Sequence, residues 1–185
     1  MSPESPARLK YLAGYPADVL AQAQDLLGQG QLGSLLLKKY RCAHSIRTDK
    51  ALYDYIQELK ADKLRGSEPL SKVAFDSKLQ VMAHALGTHT TVSRVQGSRL
   101  KAKREIRIAT LFRDTPIEFL RMISVHELAH LKERAHDKAF YQLCCHMEPA
   151  YHQIEFDLRL YLTHRELGGA LEWPINSPSK SLATG

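Results

Sequence analysis

Apolar residues recur along most of this chain at spacings of three and four, the period of a helix. Val19, Leu20, Ala23, Leu26 and Leu27 predict a first helix from Ala17 to about Leu27, opened by Pro16 and followed by Gly28, Gly30 and Gly33. Leu35 to Tyr40 predicts a second, short one. Thr48 caps a third, Asp49 to about Leu64, with Leu52, Tyr55, Ile56 and Leu59 on its apolar face. Further on, Phe119, Leu120, Ile123 and Leu131 form a stripe behind Thr115-Pro116-Ile117-Glu118, which reads as a capping box with proline at the first helical position. Asp137 then caps a helix carrying Phe140, Leu143, Cys144 and Met147, which Pro149 ends. A last helix runs through Ile154, Leu158, Tyr161 and Leu162 to Gly168-Gly169.

Only the middle of the chain departs from this period. Val73 to Val81 predicts a strand or hairpin with a turn at Asp76-Ser77, leading into a short helix that ends at Gly87. Thr90 to Val95 and Glu105 to Phe112 are β-rich, with Gln96-Gly97-Ser98 as the turn between them. The fold class expected is therefore α+β, a small antiparallel-containing sheet against helices. One domain is expected over 1–172, with an N-terminal helical part (1–66) and a core (67–172) divided at the Gly66–Pro69 loop. Residues 1–14 read as a loosely ordered lead and 173–185 as a mobile tail.

The fourth helix carries the chemistry. His126-Glu127-Leu128-Ala129-His130 reads H-E-x-x-H. Four residues advance a helix by roughly 400°, so His126 and His130 stand about 40° apart on successive turns. Two imidazoles so placed can share one Zn²⁺, while Glu127 points elsewhere and can take a proton from the attacking water. A third protein ligand is required, and His136 is the candidate. On an unbroken helix it would lie about 280° round from His126, so the helix must stop between Leu131 and Ala135. Glu148 and Glu155 are the rival third ligands. The 126, 130, 136 spacing equals that of metzincins, but Glu133 stands where those proteins place the glycine of a sharp turn.

Composition narrows the class. Of 185 residues, 44% are hydrophobic and 25% charged, as in soluble globular proteins, and no apolar run is long enough for a membrane span. There is no apolar h-region near Met1, and the three cysteines form no disulfide framework, which points to the reducing cytoplasm. Cys144-Cys145-His146 reads as helix with small residues facing the core rather than as a second metal site. Between Arg94 and Arg107, six cations (Arg94, Arg99, Lys101, Lys103, Arg104, Arg107) face Glu105 alone, which leaves +5 of the net +6 in one stretch. An anionic partner fits this stretch, with Arg94, Lys101 and Lys103 as substrate contacts. A solvated hairpin with protective lysines would look the same.

The motif and its surroundings resemble the YgjP-like metallopeptidase family, whose relatives are the WLM and SprT-like zincins. The likeness is carried by Val125 to Glu133 with His136, Lys138 and Phe140, by Thr91 to Gly97, by Leu100 to Lys103, and by Cys144 to Pro149. It implies a zincin-like core, zinc on His126, His130 and His136, and Glu127 as the catalytic carboxylate. The leading expectation is a zinc metallopeptidase that takes its peptide along the edge strand before the motif. The alternative is a nucleoside-triphosphate pyrophosphatase with Lys101 and Lys103 on the phosphates, and a third reading is a non-catalytic nucleic-acid-binding zinc module. Tyr141, His146, Tyr151 and His152 are the candidate oxyanion donors, and sequence leaves the choice among them open.

Overall fold

The computed structural model describes residues 6–67, 69–79 and 104–175. Among these residues six α-helices and two strands follow the predicted order: α1 (Ala17–Gly28), α2 (Leu32–Lys39), α3 (Asp49–Lys63), β1 (Lys72–Asp76), β2 (Glu105–Ala109), α4 (Ile117–Ala129), α5 (Lys138–Met147) and α6 (Tyr151–Glu166). The architecture is α+β, mainly helical. Thr48 caps α3 through its side chain, which accepts from the Ala51 amide at 3.1 Å, and Asp137 caps α5, accepting from the Phe140 amide at 3.0 Å.

Among the described residues the sheet has two strands. β1 and β2 run parallel, with Val73 opposite Ile106 and Phe75 opposite Ile108. The expected strand at Thr90–Val95, its turn and the helix ending at Gly87 lie outside the described residues. The strand expected to reach Phe112 stops at Ala109, where a 3-10 helix, Thr110–Asp114, turns the chain into α4. Thr115 does not cap α4. Its buried hydroxyl donates to the Phe112 carbonyl at 3.1 Å, closing the preceding turn, and the N-cap position falls to Pro116.

α4 is the centre of the packing. Nine of its residues are buried, from Phe119 to Ala129, so it shows almost no polar face. α6 lies against it and contributes Tyr151, Ile154, Leu158, Tyr161 and Leu162 to the same core. A buried carboxylate on α6, Asp157, is matched by the Tyr40 hydroxyl at 2.6 Å and the Lys39 ammonium at 2.5 Å, which ties the end of α2 to α6.

The described parts of the expected lead and tail, residues 6–12 and 173–175, pack against the rest of the chain. A 3-10 helix, Pro6–Leu12, packs on α6, with Leu9 and Leu12 buried and the Tyr11 carbonyl held by Arg159. Trp173, expected to open the tail, is buried against Phe119 and Tyr161, and Ile175 bridges to Ala43. In each case a large apolar residue outweighs its polar neighbours, because burying it stabilises by about 1.5–3 kcal/mol. Among the described residues no helix is long and apolar enough to cross a membrane.

Candidate metal centre

The last turn of α4 carries His126 and His130, and the chain leaves the helix at once. His130 is the C-cap, and the Leu131, Lys132 and Glu133 amides bond back to Leu128 and Ala129 in a tightened final turn. The helix thus stops where the third ligand requires it. No residue of this turn takes positive φ, so Glu133 replaces the metzincin glycine without backbone strain. The turn sets up α5, whose cap, Asp137, follows His136 directly.

The result is a convergence of three imidazoles. The Nε2 atoms of His126 and His130 lie 3.2 Å apart, and that of His136 is 3.1 Å from each. A tetrahedral ion with bonds of about 2.0–2.1 Å needs ligand atoms about 3.3–3.4 Å apart, so the spacing fits a metal of zinc's size. Among the described residues this is the one group of histidines, cysteines or carboxylates that could hold a metal ion. The outer nitrogens support that reading. His130 Nδ1 is 3.0 Å from the Glu133 carbonyl, and because a carbonyl only accepts, Nδ1 carries the hydrogen and Nε2 presents its lone pair inward. His126 Nδ1 lies 2.8 Å from the Tyr151 hydroxyl. The C-terminal end of α4, with its partial negative charge, faces the same point and favours a cation there.

Phe140, fully buried at the start of α5, is the floor of the centre. Its ring centroid is 5.0 Å from that of His126 and 4.6 Å from those of His130 and His136. Sequence reasoning placed Phe140 in the helix core but not under the histidines. The signal was its place in the first turn of α5, just beyond His136 and the Asp137 cap.

Glu127 follows His126 directly in the last turn of α4. It keeps some solvent access, yet is packed densely enough that burial pushes its carboxyl up to about 7. That is where a group that both takes and returns a proton at neutral pH works best.

The other candidates separate. Glu148 accepts from Arg121 at 3.1 Å and from the Ala150 amide, while Glu155 pairs with Arg159 at 2.6 Å, so both rival ligands are engaged elsewhere. Tyr141 lies 6.4 Å ring to ring from His136, whereas His146 and His152 are exposed. Cys144 is buried in the core, as expected, and burial pushes its thiol up to about 12. Arg94, Lys101 and Lys103 lie outside the described residues. Arg104, from the same basic stretch, reaches this end of the molecule, where its Nη1 donates to the Leu131 carbonyl at 3.1 Å. Arg107 is turned away to Asp76 on β1.

Residues 46–161 match the family described as YgjP-like, metallopeptidase domain. The chain is also 58% identical over 162 residues to a protein of Escherichia coli (strain K12) named UTP pyrophosphatase, covering 88% of this chain and 97% of that one. No solved structure matches. With the match spanning more than half its length, the chain belongs to the YgjP-like metallopeptidase-domain family, which makes it a metal-dependent hydrolase.

Proposed function

We propose that this protein is a zinc-dependent pyrophosphatase of nucleoside triphosphates, UTP among them. The observation that carries the metal chemistry is the set of three Nε2 atoms 3.1–3.2 Å apart with Glu127 adjacent. The substrate class is supported by the UTP pyrophosphatase relative, which this chain matches over nearly its whole length. His126, His130 and His136 would hold the ion, and an all-imidazole set suits zinc. When bound, the metal would acidify water and polarise a phosphoryl oxygen on the attacked phosphorus. Glu127 accepts the proton as the water oxygen bonds to phosphorus, and returns it as the anhydride P–O bond to the departing pyrophosphate breaks. Arg94, Lys101 and Lys103 are proposed to hold the phosphates.

Peptide hydrolysis, the leading expectation from sequence, stands as the second reading because the family is described as a metallopeptidase domain. It would use the same ion and the same carboxylate. A structural zinc in a binding module would call for four protein ligands, and among the described residues three converge.

One comparison tests these readings. Zinc content per chain is measured, and wild type and Glu127→Gln are assayed on UTP, by pyrophosphate release, and on an unstructured peptide. The expected outcome is one zinc per chain in both proteins, with UTP cleavage lowered about 10²–10⁴-fold in the variant. Lys101→Ala should raise KM for UTP. Peptide cleavage that depends on Glu127, with UTP untouched, would overturn the pyrophosphatase reading in favour of the second.

A further inference from the structure

Tyr151 is the first residue of α6 and is almost wholly buried. A buried phenol needs partners for both its hydrogen and its oxygen. Its hydroxyl lies 2.8 Å from His126 Nδ1, and the buried thiol of Cys144 on α5 is a close neighbour. Two proton arrangements satisfy these contacts. If the phenol donated to His126 Nδ1, the imidazole hydrogen would sit on Nε2 and point into the gap of 3.1–3.2 Å shared with the other two rings. If His126 Nδ1–H donates to the phenol oxygen, the phenol hydrogen is free to turn towards the neighbouring Cys144 sulfur and the Nε2 lone pair faces inward. Only the second lets three lone pairs converge, because the Glu133 carbonyl already fixes His130 the same way.

The surroundings hold Tyr151 in this role. Its ring lies nearly parallel to that of His126, at 14°. Glu148 anchors the start of α6: its carboxylate accepts from the Ala150 amide and its backbone carbonyl from the Tyr151 amide, while Arg121 of α4 grips the other carboxylate oxygen. The helix that carries His126 therefore also fixes the residue behind it.

Resting on the metal-centre reading above, we propose that Tyr151, oriented by Cys144, is a positioning residue: it locks His126 in the Nδ1–H form and aims its Nε2 at the metal. A neutral phenol takes the place that a carboxylate often fills behind a metal-bound histidine. His130 is likewise backed by a neutral carbonyl. These two partners add no negative charge to the centre, which keeps it receptive to a polyanion such as a triphosphate.

The test is metal affinity, read by competition with a chromophoric chelator for Zn²⁺ and by the visible spectrum of the Co²⁺-loaded protein. Tyr151→Phe keeps the ring and should weaken Zn²⁺ binding about 10–100-fold and alter the Co²⁺ spectrum. Cys144→Ala should weaken it less, and Cys144→Ser, which keeps an acceptor, should restore it. Tyr161→Phe, a buried tyrosine away from the centre, should leave metal affinity unchanged. Wild-type affinity and spectrum in Tyr151→Phe would overturn the inference while leaving the metal centre intact. Failure of wild type to bind either ion would overturn both. Should Tyr151→Phe not fold, ¹⁵N spectra of zinc-loaded wild type decide: a protonated Nδ1 on His126 is expected, and a protonated Nε2 would overturn the inference.

Discussion

Replacing Phe140 separates what the protein core contributes from what the metal contributes. The side chain is fully buried and touches all three imidazoles, with centroids at 4.6–5.0 Å. Phe140→Ala removes the whole ring, and truncations of this kind cost about 3–5 kcal/mol. Zero exposure and neighbours on three segments favour the upper half of that range. Against a total stability of about 5–15 kcal/mol the variant should still fold, with a lowered urea midpoint. A second loss is expected on top of the first. Bound metal stabilises the folded chain by RT ln(1 + [M]/Kd), so each tenfold loss of affinity removes about 1.4 kcal/mol of that increment. If the ring is the platform on which the imidazoles rest, Phe140→Ala should lose stability both in chelator and in the extra increment on adding Zn²⁺. The assay is four urea curves: wild type and variant, each with EDTA and with a fixed excess of zinc. A metal increment equal to that of wild type would refute the platform argument. A loss below about 1 kcal/mol in EDTA would refute the packing argument.

Two further predictions rest on groups away from the ion. His44 is buried, with its Nε2 against the Phe112 carbonyl at 2.7 Å and its Nδ1 accepting from the Ile46 amide at 3.0 Å. Burial lowers its pKa, so the folded chain holds the ring neutral and the unfolded chain binds the extra proton first. Its contribution is complete above the ordinary value near 6.5 and is lost as pH falls below it. Urea unfolding at a series of pH values in this window should show a shallower slope for His44→Gln than for wild type, and equal slopes would sink the assignment. Cys144, buried and with its thiol pushed up to about 12, stays protonated at pH 8. Alkylation of the native protein followed by mass spectrometry should therefore leave Cys144 unmodified while half-buried Cys42 and Cys145 react, and all three should react in denaturant.

What could be read from the letters alone was what depends on local spacing. Helix caps at Thr48 and Asp137, the break after His130, and the pairing of His126 with His130 all follow from residues within a turn or two of each other. Where the structure differed, a distant partner decided. Thr115 has the chemistry of a cap, but the Phe112 carbonyl competes for its hydroxyl. Trp173 sits in a polar, proline-containing segment, yet an aromatic pocket formed by Phe119 and Tyr161 takes it in. The parallel pairing of β1 with β2 joins segments more than thirty residues apart, which no local pattern specifies. The site followed the same division: its three histidines were legible as a motif, but Tyr151 behind His126 and Phe140 beneath the rings required the folded chain.

That division bears on why a domain described as a metallopeptidase can match a relative named UTP pyrophosphatase. An activated water and a carboxylate that shuttles its proton serve a carbonyl and a phosphoryl group alike, since both need a nucleophile generated at neutral pH and charge stabilised on an oxygen. The motif therefore specifies the attack and not the substrate. Discrimination has to come from what surrounds the ion. A triphosphate brings several negative charges to the mouth of the site, and each carboxylate placed near it would repel them. Around this centre the two described outer partners, Tyr151 and the Glu133 carbonyl, are uncharged, Glu148 and Glu155 are tied to arginines, and Arg104 is pinned at the Leu131 carbonyl one residue beyond His130. Such a setting costs a neutral peptide little and favours an anion considerably. Adding one carboxylate at the Arg104 position (Arg104→Glu) should thus raise KM for UTP far more than KM for any peptide, whereas equal changes for both would mean that the charge of this rim does not select the substrate.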